Sequence, residues 1–220
     1  MRVLGLDAAT AGCSAALFED GRILAHAGAA MEHGHAEALV PMILDVMGGR
    51  SFADLDGIGV TRGPGGFTGI RVALATARGL GLAAARPVVG VTTFAAIAWA
   101  VEMPAGMDRL LVLIESRRQD LYAQLFAAAG RAIGEPAALV PEDLPVYAGP
   151  GPILLAGDGA ARAAAVFGAD AALAPGPGRP DAAAVAALAA QTLAREGPPA
   201  TAPTALYLRE ADVTLPKSRR

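Results

Sequence analysis

Short apolar runs separated by turn residues open the chain and predict a β-rich beginning. The runs Val3–Leu6, Cys13–Phe18 and Ile23–His26 have the length and composition of strands. Asp20-Gly21 lies between the second and third runs, and this dipeptide is typical of two-residue hairpin turns. The chain is therefore predicted to begin with three strands, the last two joined by a tight turn.

Helices and strands alternate after these strands. A helix is predicted for His35–Met47, a strand for Leu55–Thr61 and a second helix for Thr68–Ala85. A strand at Val88–Thr92 and a helix at Phe94–Val101 complete the pattern. The order βββαβαβα predicts a mixed sheet with helices on its faces.

The stretch Met103–Asp108 contains proline and glycine and is the predicted domain boundary. We therefore expect an α/β protein with two subdomains, residues 1–104 and 105–220, whose C-terminal segment is able to pack back on the first. Ala171–Pro180 is rich in proline and glycine and is predicted to be a loop. The smaller second subdomain is expected to contain three strands: Leu110–Ile114, Leu121–Ala127 and Ile153–Ala156. An alanine-rich helix is predicted after Gly157–Gly159, and a second helix, Ala182–Arg195, is predicted with Asp181 as its cap.

The composition narrows the class of protein. Hydrophobic residues make up 54% of the 220 residues and charged residues 18%, which is typical of a folded chain. The net charge of −3 argues against a protein that binds nucleic acid alone through a broad basic face. The single cysteine, Cys13, has no partner for an internal disulfide, which favours a reducing compartment. Because Asp7 comes too early for a signal peptide and Pro87–Val101 is short for a membrane span, we expect a soluble cytoplasmic protein.

The stretch TRGPGGFTG, Thr61–Gly69, has the composition of a phosphate-binding loop. A glycine turn that leads into a helix presents backbone N–H groups and the positive end of the helix dipole to an anion. However, the motif G-x-x-x-x-G-K-[ST] is not matched, because Thr68 stands five residues after Gly63, where the second glycine is required, and no lysine is nearby. The motif G-x-G-x-x-G is not matched either. The favoured interpretation is a tight turn with Thr68 as the N-cap of the helix.

The two predicted helices before and after this turn lack an ordinary polar face. The charged side chains of the second helix form one narrow stripe that is expected to stay in solvent: Arg71, Arg78 and Arg86. Ala75, Gly79 and Ala83 recur every four positions and form a row that another backbone can approach closely. The first helix is apolar around most of its circumference from Leu39 to Met47. Burial inside the domain and a partner-binding interface both explain this pattern, and the interface is the favoured hypothesis.

Several motifs resemble known families. VLGLDAATAGCSAALFEDGRIL, residues 3–24, resembles the first phosphate hairpin of the actin, sugar-kinase and Hsp70 superfamily. GHAEALVPMI, GIGVTRGPGGFTGIRVALATARGLGLA, VVGVTTFAAIA, IESRRQDLYAQLF and the closing APTALYLRE are together similar to the TsaB (YeaZ) family, so that the resemblance covers nearly the whole chain. The chain departs from this family at Gly66, where serine is common, and at Glu115, where aspartate is common.

The resemblance implies a protein without chemistry of its own. TsaB-like proteins are the bacterial, non-catalytic subunit of the complex that makes N6-threonylcarbamoyladenosine on tRNA. The resemblance implies an actin-like (ASKHA) fold, docking on the catalytic paralogue TsaD, partnership with a TsaE-like ATPase, and self-association when the partner is absent. We expect tRNA contact only through the complex, no membrane contact, and no cofactor for the chain alone; nucleotide binding stays open only within the complex.

Two sets of site residues follow from the resemblance and from the helix pattern. A vestigial phosphate turn would comprise Asp7, Thr10 and Gly12. The predicted partner interface comprises residues of the two helices: His35, Leu39, Met42, Ile43, Met47, Phe67, Thr68, Arg71, Val72, Ala75 and Gly79. No catalytic and no metal-binding residue is predicted.

Two other functions stay open on the residues alone. An actin-like ATPase or phosphotransferase needs an adenosine-binding motif in the second subdomain, for which Gly157–Gly159 is a faint candidate. A metallopeptidase-like relative needs the H-x-x-x-H pair of the catalytic relatives, which the sequence lacks, and His33, His35 and Glu37 are only a weak metal candidate. The basic tail Lys217–Arg220 is expected to be a solvated chain end rather than a contact to tRNA phosphates.

Overall fold

Two mixed β-sheets organise the chain, and helices pack on both. The computed structural model describes residues 1–127, 130–176 and 178–209. Within these residues each sheet has five strands, and the predicted fold class, an actin-like α/β protein with two subdomains, is confirmed. The basic tail Lys217–Arg220 lies outside the described residues.

The strands are short, and the central ones are buried. The first sheet contains β1 (Arg2–Asp7), β2 (Gly12–Glu19), β3 (Arg22–Ala30), β4 (Gly57–Thr61) and β5 (Val88–Val91). The second sheet contains β6 (Arg109–Glu115), β7 (Leu121–Ala127), β8 (Ala132–Leu139), β9 (Ile153–Ala156) and β10 (Ala171–Leu173). Asp20 and Gly21, the predicted hairpin turn between β2 and β3, have φ values of 48° and 89°, as a type I′ turn requires.

The described helices vary in length from one turn to five. They are α1 (His35–Met47), α2 (Phe67–Ala84), α3 (Thr93–Trp99), α4 (Leu144–Ala148), α5 (Ala160–Phe167) and α6 (Ala182–Glu196). Asp181 caps α6 as predicted, because its side chain accepts a hydrogen bond from the N–H of Ala183. No described helix combines the length and the hydropathy that a bilayer-spanning segment needs.

Both sheets have the same topology. In the first sheet β1, β2 and β3 are antiparallel neighbours, and β4 and β5 extend the sheet in parallel beside β1. In the second sheet β6, β7 and β8 are antiparallel, and β9 and β10 extend it in parallel beside β6. The carboxyl ends of β1 and β4 therefore correspond to those of β6 and β9, and loops at these ends line one cleft.

Helices α1 and α2 cover one face of the first sheet, and α6 covers the other. Leu4 of β1 is buried in a cluster with residues of α1 and α2, whereas its neighbour Val3 is buried with residues of α6. Gly5 leaves room for α6, because a Cβ added there would lie 2.2 Å from the carbonyl oxygen of Ala182. Helix α6 thus lies with the first sheet although it follows the second in the chain. The division of the chain at residue 104 stays a prediction.

Three local predictions are corrected by the structure. Helix α2 begins at Phe67 with Gly66 as its N-cap, so Thr68 lies in the first turn instead. Arg86 follows the end of α2 and does not belong to a stripe on that helix. Ala171–Leu173, inside a predicted loop, pairs with β9 as a strand.

Candidate functional site

A cleft of about 780 Å³ lies between the two subdomains. The turn after β1 and the first turns of α1 and α2 line one side, with Thr10, His35 and Phe67 among their residues. The loop after β6, which follows Glu115, and Tyr207 of the C-terminal segment also line the cleft. The predicted phosphate turn and the predicted glycine loop therefore meet at this cleft.

The turn between β1 and β2, residues 8–11, is held by hydrogen bonds from the rest of the chain. The N–H of Gly66 donates to the carbonyl oxygen of Ala9 at 2.7 Å. The Nε2 atom of His35 lies 3.3 Å from the carbonyl oxygen of Thr10. These contacts present the carbonyl oxygens of the turn to internal donors, whereas an anion needs N–H donors. The turn is therefore part of the internal packing of the first subdomain.

Gly65 in the loop before α2 and Gly69 in the first turn of α2 allow this turn to lie against the helix. A Cβ atom added at Gly65 would lie 2.0 Å from the carbonyl oxygen of Ala9, and one added at Gly69 would lie 1.9 Å from that of Ala8. A side chain at either position would overlap the turn. The predicted role of glycine in close packing is thus confirmed at these two positions, and the close neighbour is the protein's own backbone.

Asp7 ends β1 beneath the turn and is buried. Its carboxylate accepts hydrogen bonds from the Thr61 hydroxyl at 2.7 Å and from the N–H of Ala9 at 3.2 Å. Burial raises the pKa of Asp7 to about 7 and outweighs the opposite effect of these hydrogen bonds. The hydroxyl of Thr10 is buried without a hydrogen-bond partner among the described residues, and Gly12 begins β2. A cofactor role for Asp7, Thr10 and Gly12 stays a prediction.

Other titratable groups lie at the ends of β6 and β9 and in β2. The N–H of Glu115 donates to Asp158 at 2.8 Å, and the Glu115 carboxylate accepts from Arg162 at 2.9 Å. Burial raises the pKa of both carboxyl groups, and it raises the pKa of the Cys13 thiol to about 11, so that this thiol stays protonated at neutral pH. Among the described residues, no group of three or more His, Cys, Asp or Glu side chains is arranged to hold a metal ion.

The solvent-facing surface of α1 and α2 includes several apolar residues. Val40 and Leu44 of α1 are 48% and 59% exposed, and Leu82 of α2 is 87% exposed. Ala75 and Gly79 of α2 are also exposed, and a Cβ added at Gly79 would meet no atom within 4 Å. Helices α1 and α2 contact each other, so these exposed positions lie on neighbouring helices. We call the surface formed by Val40, Leu44, Ala75, Gly79 and Leu82 the outer face.

The predicted interface residues do not all reach the outer face. Leu39, Ile43 and Met47 are at most 2% exposed, because they pack in the core between α1 and the sheet, and their assignment to an interface is corrected. Val40 and Leu44, which the sequence reasoning missed, form a second apolar stripe on α1, and their spacing of four positions was the available signal. The remaining predicted residues are partly or fully exposed: His35, Met42, Phe67, Thr68, Arg71, Val72, Ala75 and Gly79.

The arginines of α2 contact the C-terminal segment. Arg71 Nε donates to the hydroxyl of Tyr207 at 3.1 Å, and the guanidinium carbon of Arg71 lies 3.4 Å from the centre of the Phe67 ring. Arg78 donates to the carbonyl oxygen of Pro203. Both arginines are exposed, but the expectation of a freely solvated stripe is corrected because hydrogen bonds fix them.

Comparison with known proteins agrees with the fold. The family model described as "TsaD: tRNA N6-adenosine threonylcarbamoyltransferase" matches residues 28–153, more than half of the chain. The tRNA threonylcarbamoyladenosine biosynthesis protein TsaB of Escherichia coli (strain K12) is 36% identical over 124 residues, which cover 56% of this chain and 53% of that protein. The structure of YeaZ from Pseudomonas aeruginosa superposes with a TM-score of 0.82 at 29% identity, over 94% of this chain and 99% of that one. The chain belongs to the TsaB (YeaZ) family.

The extent of the match differs between sequence and structure. This TsaB-family chain spans about half the length of the curated TsaB proteins it matches, 53% for Escherichia coli and 52% for Haemophilus influenzae. A second Pseudomonas aeruginosa structure, an uncharacterized protein with similarity to peptidase YeaZ, has a TM-score of 0.80 and 30% identity over 94% of this chain and 99% of its own. Helices α1 and α2 lie entirely within the residues that the family model matches, and so does the outer face.

Proposed function

We propose that this TsaB-family chain is a scaffold and dimerisation subunit of the tRNA N6-adenosine threonylcarbamoyltransferase complex. It supports the catalytic subunit TsaD, which binds the outer face, and it self-associates through the same face when TsaD is absent. A TsaE-like ATPase is a further partner, tRNA is reached only through the complex, and the chain has no catalysis of its own. The outer face carries this proposal, because an exposed apolar surface on two helices is typical of a protein–protein contact.

The shape of the outer face suits a helical partner. Ala75 and Gly79 lie one turn apart on α2, and the missing side chain at Gly79 leaves space for a close backbone. Leu44 on α1 and Leu82 on α2 are more than half exposed. Full burial of a leucine side chain contributes about 1.5 to 3 kcal/mol, so two such residues supply a substantial part of a binding energy.

The absence of intrinsic catalysis is supported by the packing at the cleft. The carbonyl oxygens of Ala9 and Thr10 face donors within the chain. The turn after β1 occupies the space beside Gly65 and Gly69, where other residues would have side chains. Asp7 points into the protein, where Thr61 holds it. The space that these glycines leave is therefore taken by the protein's own backbone, whereas in a phosphate loop the anion approaches the backbone N–H groups there.

The matched exposure of two apolar residues provides a direct test of the outer face. Leu82 on α2 and Val146 on α4 are 87% and 86% exposed, so arginine at either position adds the same charge without disturbing the core. Leu82→Arg is expected to weaken binding to the full-length TsaD of the same organism at least about a hundredfold, because an unpaired arginine would be buried in the contact. Val146→Arg is expected to bind like the wild type. Isothermal titration calorimetry measures both affinities, and equal binding of the two variants would place the interface elsewhere.

The cellular role is tested by the modification itself. Depletion of the protein is expected to lower threonylcarbamoyladenosine in bulk tRNA, as measured by nucleoside mass spectrometry. Expression of the Val146→Arg variant should restore the modification, whereas the Leu82→Arg variant should not. Unchanged modification after depletion would remove the tRNA assignment whether or not the chain binds TsaD.

A further inference from the structure

The segment Pro203–Arg209, which we call the strap, joins the two subdomains after α6. Ala205 packs against the core cluster that contains α1 and α2. Leu208 packs against a cluster formed by α3 and the second sheet, and Arg209 forms an ion pair with Asp120 at 2.8 Å. The strap is therefore anchored at both ends, with Tyr207 between the anchors.

Two glycines at the carboxyl edge of the first sheet make room for the strap. The N–H of Leu206 donates to the carbonyl oxygen of Arg62 at 2.7 Å, directly after β4. A Cβ added at Gly63 would lie 2.9 Å from the carbonyl oxygen of Leu206, and one added at Gly90 would lie 2.6 Å from Cβ of Pro203. The path of the strap is thus fixed by its backbone as well as by its side chains.

The strap also holds the side chains along one edge of α2. Tyr207 accepts the hydrogen bond from Arg71 at 3.1 Å, and its ring centre lies 5.5 Å from that of Phe67. The carbonyl oxygen of Pro203 accepts from Arg78, which lies two turns after Arg71 on the same side of the helix. The strap therefore runs beside the small-residue row of the outer face and orders the long side chains at its border.

We infer that the strap is a positioning element of the partner-binding surface, and that Tyr207 acts through Arg71 and Phe67. The inference rests on the proposed function, because it takes the outer face to be the surface that the partner binds. Arg71 and Phe67 are exposed and have several rotamers, so a partner that contacts them must order them. Tyr207 orders them before the encounter and so removes part of this cost. Loss of Tyr207 therefore weakens binding even where the fold is intact.

A double-mutant cycle on full-length protein tests this inference. Tyr207→Ala is expected to weaken binding to the full-length TsaD of the same organism about tenfold, because the hydrogen bond and the ring contact are both lost. In an Arg71→Ala background the same substitution is expected to have a clearly smaller effect, since only the ring contact with Phe67 is then left to lose. Tyr207→Phe keeps the ring and loses the hydroxyl, so an intermediate affinity is expected, and the Arg71 Nε–H of the free protein should exchange faster with solvent in NMR spectra. Trp99→Ala serves as the control, because Trp99 on α3 is as exposed as Tyr207, 46% against 47%.

The outcomes separate this inference from the proposed function. Wild-type affinity for Tyr207→Ala together with lost binding for Leu82→Arg would overturn the positioning role and leave the proposed function standing. Additive effects of Tyr207→Ala and Arg71→Ala would also overturn it, because Tyr207 would then act independently of Arg71. Normal binding of Leu82→Arg would remove the outer face itself. If Tyr207→Ala fails to fold, Tyr207→Phe decides, and an unchanged affinity with an unchanged Arg71 signal rejects the inference.

Discussion

Gly69 and Gly79 lie ten residues apart on α2 and have opposite surroundings. A Cβ added at Gly69 would lie 1.9 Å from the carbonyl oxygen of Ala8, whereas one added at Gly79 would meet no atom within 4 Å. Glycine within a helix costs about 1 kcal/mol relative to alanine. At Gly69 the close turn after β1 accounts for this cost. At Gly79 the protein alone offers no compensation, which directs attention to a neighbour outside the chain.

A row of small residues in the sequence therefore does not show which neighbour lies against it. The glycines around the start of α2 have the composition of a ligand loop, and their neighbour is the protein's own backbone. Ala75 and Gly79 have the composition of a buried helix contact, and they face solvent.

The largest effect is expected at the buried glycine. Gly69→Ala should destabilise the protein by about 4 kcal/mol or more, because the new methyl group meets a backbone carbonyl that cannot rotate away. Urea unfolding followed by circular dichroism measures the change. A loss below about 1 kcal/mol would mean that the turn after β1 moves easily, and the packing at the cleft would then no longer argue against a phosphate site.

The second effect concerns Asp7, which lies beneath the same turn. Its pKa is about 7 in the folded protein against an ordinary value of 3.8 for an aspartate, because burial disfavours the carboxylate. The folded state therefore keeps this proton at pH values where the unfolded state has lost it, and the free energy of unfolding should fall as pH rises from about 4 to about 7. The shift corresponds to at most roughly 4 kcal/mol.

Asp7→Asn tests this dependence, because the amide oxygen is able to accept from Thr61 and the side chain cannot ionise. The variant is expected to be more stable than the wild type at pH 8 and to lose part of the fall in stability between pH 4 and pH 7. Urea unfolding at a series of pH values measures it. Asp45→Asn on the exposed surface of α1 is the control and should keep the wild-type slope.

The third effect is expected on binding rather than folding. Gly79→Arg should fold, because the position is open, and it should lose TsaD binding and self-association about a hundredfold or more as the charge is buried unpaired. Size-exclusion chromatography with light scattering and calorimetry measure the two associations. Arg78→Ala is a weaker change, because it removes only the hydrogen bond to the strap, and we expect both associations to stay nearly intact. If the Gly79→Arg variant folds and binds TsaD with normal affinity, Gly79 has no role in binding.

The sequence predicted elements where local signals were strong. His35–Met47, Leu121–Ala127 and Ile153–Ala156 match the observed bounds, because each is a periodic or continuous apolar segment between turn residues. β10 was missed because three residues carry no detectable period. β8 was missed because Gly134 and Pro136 interrupt its sequence, although an edge strand tolerates both.

The candidate site was predictable only in part, for two physical reasons. Helix α1 is apolar on two stripes, so the sequence alone does not say whether Leu39 and Ile43 or Val40 and Leu44 face the sheet. The contact between Gly69 and Ala8 joins residues far apart in the chain, and no local pattern reports it. The shared topology of the two sheets was equally hidden, since backbone pairing preserves it without visible sequence repetition.

The smallest effect is expected for Gly79→Ala, which should change the free energy of unfolding and the affinity for TsaD in opposite directions. A methyl group at this exposed helix position restores helix propensity without a clash, so the free energy of unfolding should rise by about 0.5 to 1 kcal/mol. If a partner backbone approaches at Gly79, the same methyl group should weaken TsaD binding several-fold, which is well under the loss expected for arginine. Thermal unfolding and calorimetry on the same preparation measure both quantities. A Gly79→Ala variant that is more stable and binds TsaD with full affinity would show that the partner contacts the large side chains around Gly79 and leaves the gap empty. The small-residue row would then not be the centre of the interface.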